Sequence, residues 1–436
     1  MGIYDLGWKG KICLLVLLAF AASSNGVDEK IKSKEKFLEV DMKLKLLNKP
    51  SLKSIQSEDG DIIDCVDIYQ QPALDHPALR NHIIQMEPSF YPKTEWTMMK
   101  KNSSMQTISH IWQKNGSCPE GTIPIRRIRK QDLLRATSLE NYGRKSPYIT
   151  HSSNRSTERQ ESTNNTHNFE HLNQNGISNF LYVNRSAAFL ITQGYSYIGA
   201  KGEINVWNPY VEGQDEYTTG QIWLVNGPRT GFESVESGWM VNPSVYGDTQ
   251  TRFFIYWTVD GSHKTGCFDL ICTGFVQINH EIALGTAIEP VSSEDGPQYE
   301  IPIFIFMDVN TSDWWLALEE KLVGYWPASL FGRLRHSAAI VQFGGEVYST
   351  TIGKEGVPHT ATAMGSGEDA QYMFGSAAYI NHIRIIDYSR TERYPEWVYP
   401  YMDEPYCYSA YNYVQYIKEP EFYFGGRGRF RNPYCP

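Results

Sequence analysis

Glu236, in SVESGWMVNP, and Glu346, in VQFGGEVYST, each stand in a strand-like run among apolar residues and beside glycine. Burying a carboxylate costs far more than its hydrogen bonds usually return, so one set inside a β fold calls for a purpose. Two carboxyls sharing a site cannot both ionise easily: one pKa rises and the pair titrates as a unit. The ionised member can then take a proton from water while the protonated member donates one.

Side chains alternate faces along a strand. Val235, Ser237, Trp239 and Val241 share one face, leaving Glu236, Gly238 and Met240 on the other. Ala339, Val341, Phe343 and Val347 likewise oppose Ile340, Gln342, Gly344, Glu346 and Tyr348. Both glutamates therefore point away from the more apolar face, and the neighbouring glycines are expected to leave room for a polymer backbone. A bulge at Gly344–Gly345 would shift the second phase. Periodicity alone leaves two readings open, a catalytic pair and ordinary solvent-facing residues.

The elements that must position these residues are β-strands. From Asn179 onward, runs such as EINVWNP, QIWLVNG, RFFIYWTVD, IPIFIFMDV and FYFGGRG are β-branched or aromatic and bounded by Gly, Pro, Asn and Asp. Their spacing predicts an all-β antiparallel sandwich of the jelly-roll or lectin-like kind over 176–436. DWWLALEEKLVGYW reads as a helical turn or as further strand. Ahead of it, 27–135 reads as a small mixed α+β unit with one helix within Asp28–Lys53, and 136–175 as a polar Asn/Ser-rich exposed linker carrying a processing site.

Residues 1–26 read as a signal peptide: Lys9 and Lys11, the apolar run Ile12–Ala22, then small residues. Sequons at Asn102, Asn115, Asn154, Asn164, Asn184 and Asn310 agree with export, and six cysteines beyond the signal suit three disulfides. The expected product is secreted, to the apoplast or cell wall. A net charge of −9 points away from nucleic acid, and no later run is long enough for a membrane span. Two alternatives are carried. His263, Cys267, Cys272 and His280 have zinc-ligand types, and a sandwich with exposed aromatics could be a non-enzymatic wall or carbohydrate-binding module or a two-carboxylate glycosidase. No G-x-S-x-G elbow is present.

CVDIYQQPALDHPALRNHIIQ, GSCPEGTIPIRR, SVESGWMVNPSVYGDTQTRFFIYWT, TGCFDLICTGFVQIN, GYWPASLF and GGEVYS together make the chain resemble the neprosin family, plant secreted glutamic peptidases that include a proline-cleaving enzyme. The resemblance implies an N-terminal activation peptide, a β-sandwich catalytic domain and a catalytic pair at Glu236 and Glu346. It also implies cleavage after proline at acidic pH, with no cofactor or metal. It implies bridges Cys267–Cys272 and Cys407–Cys435, with Cys65–Cys118 expected as the third. The implied partners are peptide or protein substrates, proline-rich ones among them, and the chain's own propeptide as inhibitor, released by acid through carboxylates and histidines such as His76 and His82. Gln342 and Tyr348 are candidates to orient water or an oxyanion, and Trp239 and Trp257 to wall a proline ring, with core packing the alternative for each. The chain departs from the family pattern in its long linker, in Glu203 of GAKGEIN and in the basic tail FGGRGRFRNPYCP.

Overall fold

The computed structural model describes residues 36–92, 109–136, 138–147, 184–228, 230–415 and 418–436. The signal-like run and the sequons at Asn102, Asn154 and Asn164 lie outside the described residues. Asn115 and Asn310 are exposed and Asn184 is partly buried.

The N-terminal part carries a helix, α1, over 36–47, within the lysine-rich stretch expected to be helical. A three-stranded antiparallel sheet follows, β1 (Ser51–Gln56), β2 (Ile62–Asp67) and β3 (Thr122–Arg126), with β2 in the middle. The Cys65–Cys118 bond ties β2 to the loop before β3. A short helix, α2 (Lys130–Arg135), leads into 138–147.

The larger part is organised by one strand, β4 (Arg185–Asn205), of 21 residues. Its first half is flanked by β11 (Ala338–Tyr348) and β13 (Val398–Met402). Its second half is flanked by β8 (Glu300–Met307) and β12 (Ala378–Asp387). The half-exposed corner Gln193–Ser196, with Gly194 at φ +104°, is where β4 passes from one layer to the other. The front layer continues outward from β11 through β5 (Tyr217–Asn226), β6 (Glu233–Val241) and β7 (Arg252–Thr258). The back layer continues through the hairpin β9 (Trp314–Leu318) and β10 (Lys321–Trp326), so the tryptophan-rich run is strand, and on the other edge through β14 (Glu421–Gly425). Among the described residues the pairings between these strands are antiparallel, as the pattern of short β-rich runs predicted.

One apolar core lies between the layers. From the front layer it takes Leu190, Ile222, Leu224, Val235, Val341 and Phe343, and from the back Ile303, Ile305 and Ile380. Trp239 and Trp257 belong to this core: Trp239 is fully buried with its indole N–H on Asn205 C=O at 2.9 Å, and Trp257 packs edge-on against Phe331. Neither walls a substrate ring, because odd-numbered positions of β6 and β7 face inward.

The N-terminal part docks on the larger one through buried and partly buried polar contacts. Asp61 bonds the fully buried Arg252, and Arg126 bonds both Asp61 and Tyr246 C=O. Gln71 exchanges hydrogen bonds with the backbone of Gln277, Gln85 donates to Asp313, and Ser89 donates to Asp308. Residues 138–147 also depart from the expected exposed linker. Tyr142 and Lys145 are buried, because this stretch lies along the front sheet where its few non-polar and charged groups find partners.

Because β4 is central to both layers, any cut that separates the two parts must fall between 147 and 184. N-terminal sequencing of the processed protein checks this, and a chain starting at residue 206 is expected to show no cooperative unfolding by circular dichroism.

Candidate active site

The two glutamates arrive on the outer face of the front sheet from strands on either side of β5. In the ladder Glu236 of β6 stands opposite Trp223, and Glu346 of β11 stands opposite Thr219. Gln221 lies between those two positions, and Tyr217, Thr219, Gln221 and Trp223 share the glutamates' face by strand alternation. Pairing of β11 is regular from Ile340 to Tyr348 on both edges, so the Gly344–Gly345 pair does not shift the phase. The nearby glycines serve strand approach rather than a polymer: a Cβ on Gly238 would stand 2.0 Å from Gly220 C=O, and one on Gly344 2.3 Å from Ala188 C=O.

Neither glutamate faces solvent. Glu236 is 0% and Glu346 3% exposed. The ammonium of Lys145, fully buried, donates to Glu236 Oε2 at 2.7 Å and to Glu346 Oε1 at 3.2 Å. Each carboxylate has further donors of its own. Ser234 Oγ donates to Glu236 Oε1 at 2.8 Å, Gln221 Nε2 to Glu236 Oε2 at 2.7 Å, and Tyr217 OH to Glu346 Oε1 at 2.8 Å. The guanidinium Nε of Arg185 stands 3.6 Å from Glu346 Oε1. Gln221 Oε1 is buried with no partner among the described residues.

Burial pushes the Glu346 carboxyl up, but Lys145, Arg185 and the Tyr217 hydrogen bond outweigh it and hold its pKa below the usual range. Burial disfavours a charged Lys145, yet the two carboxylates raise its pKa well above the ordinary lysine value. The two carboxylates are thus balanced by two cations, Lys145 bonded to both and Arg185 beside Glu346, a buried arrangement that is tolerable only because every charge has an opposite partner.

Apolar clusters flank the pair on the same face. Tyr217, Met240, Phe254, Tyr256 and Phe268 form one, and Ala187, Phe189 and Ile191 with Tyr401 the other. Tyr348 lies in the site: its ring stacks on Tyr217 at 5.2 Å and its OH meets Ser146 Oγ at 3.0 Å. Gln342 shares the face and stands level with Trp223 and Glu236 in the ladder, at the end of the sheet away from Glu346. Lys145, Tyr217, Gln221, Ser234 and Arg185 were not singled out from sequence. Alternation on the strand before β6 could have marked Tyr217 and Gln221; nothing local marks Lys145, which arrives from a polar stretch.

The Cys267–Cys272 and Cys407–Cys435 bonds lie in the larger part. The first occupies both sulfurs that a zinc site with His263 and His280 would need, which overturns that alternative. Glu203 pairs with His382 Nδ1 at 2.8 Å in the back sheet and takes no part in the site.

The neprosin family model matches residues 214–427, and that of the neprosin activation peptide matches residues 54–173. Among solved structures, Scytalido-glutamic peptidase with a peptide-based transition-state analogue is similar over 56% of this chain and 98% of its own, at 10% identity and TM-score 0.31. SCP-B, a member of the Eqolisin family of peptidases bound to the tripeptide Ala-Ile-His, covers 56% and 97% at 10% identity and TM-score 0.29. CG-16, a homodimeric agglutinin from chicken liver, covers 37% and 96% at 10% identity and TM-score 0.20.

Removing the ammonium leaves Glu236 without a cation and Glu346 with Arg185 alone. Lys145→Ala in the full chain is expected to cost about 3–5 kcal/mol at pH 7. The loss should be much smaller at pH 3, where the carboxyls can take protons. Urea unfolding at the two pH values checks it.

Proposed function

The chain belongs to the neprosin family, with its activation peptide ahead of the catalytic domain, and from that premise we propose that Glu236 and Glu346 are the catalytic pair of this peptidase. The observation that carries the reading is the single Lys145 ammonium bonded to both. It comes from the activation peptide and occupies the space between the two carboxyls.

With Lys145 gone, the two carboxyls face each other without a cation between them, and one of them keeps a proton. Water then takes the ammonium's place. The ionised carboxylate accepts a proton from that water as its oxygen attacks the peptide carbonyl carbon, and the protonated member donates to the carbonyl oxygen. Collapse of the tetrahedral intermediate breaks the C–N bond, with a proton passing to the leaving amine. With Lys145 in place its ammonium fills the space between the carboxyls that the water needs, and its charge lowers the Glu346 pKa, which opposes a protonated donor there. Latency is therefore electrostatic as well as steric.

Cleavage after proline at acidic pH, and export to the apoplast or cell wall, are carried over from the family likeness as part of this proposal. The N-terminal apolar run and the sequons support export. In the processed enzyme, Glu236→Gln and Glu346→Gln are each expected to lower kcat on a proline-containing peptide by at least about a thousandfold, the scale of losing an acid/base group together with its partner. Turnover retained by either variant sinks the pair.

Burial in the docked state lowers the pKa of His76 and, against an opposing pull from Asp313, of His82, whose Nε2 meets Tyr325 OH at 2.7 Å. Undocked, both titrate near the ordinary value of about 6.5. Docking is thus favoured above that pH and weakens as pH falls through it. Asp61 adds a later step. Burial raises its pKa, but Arg252 and Arg126 outweigh that and lower it, so its contribution is present above the ordinary aspartate range and is lost as pH falls below it. After cleavage in the linker, the pH at which the propeptide leaves, read by size exclusion, is expected to shift downward in His76→Gln/His82→Gln. A propeptide that stays bound in the fully active enzyme would overturn acid release.

A further inference from the structure

Residues 143–147 of the activation peptide run past the site, held by the Lys145 and Ser146 side chains and also by their own backbone carbonyls. Phe268 N–H donates to Gly143 C=O at 2.8 Å. Past Lys145, Arg185 Nη2 donates to Ser146 C=O at 2.6 Å and Nη1 to Pro147 C=O at 3.5 Å. Donors to main-chain carbonyls thus stand on both sides of the residue whose side chain enters the pair.

Arg185 is built for this position. Its side chain is fully buried, its Nε donates to Tyr217 OH at 3.3 Å and stands 3.6 Å from Glu346 Oε1, and its guanidinium lies 5.1 Å from the centre of the Tyr348 ring. Tyr217 and Tyr348, stacked on one another, fix the plane of the fork. A guanidinium presents five N–H donors in fixed geometry, and a buried one needs acceptors for them. When the activation peptide leaves, the Ser146 and Pro147 carbonyls go with it. The natural replacements are the carbonyls of another extended chain in the same path.

We propose that Arg185 is a substrate-binding residue that holds two successive main-chain carbonyls of an extended peptide on one side of the scissile bond. The ligand class is peptide backbone, so binding on that side is largely indifferent to side-chain identity. The residue lies upstream of the 214–427 family match, at the start of β4, and no sequence motif quoted above includes it. The scissile bond's place rests on the catalytic pair proposed above; the carbonyl contacts do not.

The test is a length cycle. Full-length protein is cleaved within residues 148–183, by added protease where it does not process itself. It is then assayed on a proline-containing peptide and on versions extended by two residues at either end. In the unsubstituted enzyme, extension at one end is expected to lower KM. In Arg185→Gln that gain is lost, and KM on the long peptide rises about 10- to 100-fold, the scale of a charged hydrogen bond, with kcat changed less. Arg185→Lys keeps charge without the fork and should fall between. If Arg185→Gln does not fold, the Arg185→Lys cycle decides. Equal losses on short and long peptides, or an unchanged length dependence, overturn the proposal. Turnover surviving Glu236→Gln or Glu346→Gln would sink the pair while leaving the Arg185 cycle readable.

Discussion

One ammonium between two buried carboxylates is the interaction on which the organisation of this chain depends. A buried carboxylate pair is costly without a proton or a cation to share. The region matched by the activation-peptide model brings the ammonium that bridges both, while the larger part's own Arg185 stands beside Glu346 alone. The same contact explains why the N-terminal part must be docked so firmly. Lys145 stands at the end of a path anchored by Asp61–Arg252, Gln71–Gln277 and Ser89–Asp308, each a polar contact that is satisfied only when the two parts are together.

The second constraint is the long strand β4. It carries Arg185 at its start on the front sheet and pairs with β8 and β12 in the back sheet at its end. Front-sheet geometry at the glutamates is thereby set by a strand whose other half is held in the opposite layer. The β4–β11–β5–β6 ladder carries that constraint to the register that brings the carboxylates within reach of one nitrogen. The close approach of backbones at Gly238 and Gly344 works to the same end.

Alternation made the orientation of the two glutamates legible: Glu236 and Glu346 do lie on the faces opposite Val235 and Val341. It also contained the answer for Trp239, which shares Val235's face and is core, although a tryptophan beside a candidate site invites a substrate role. The glycines were legible as special but not in purpose, since a close strand neighbour is a tertiary fact. The stretch 136–147 was misleading, because its polar composition describes an exposed linker while its place along the sheet makes Tyr142 and Lys145 buried.

By itself the sequence determined the β class, the existence of a separate leading part, and which face of each strand carries a carboxylate, because those properties follow from local periodicity and composition. Only the tertiary structure decided that the two carboxylates share one partner, that the partner is Lys145, and that Arg185 stands beside them. Those facts depend on register between strands far apart in the chain, and local periodicity carries no information about register between strands.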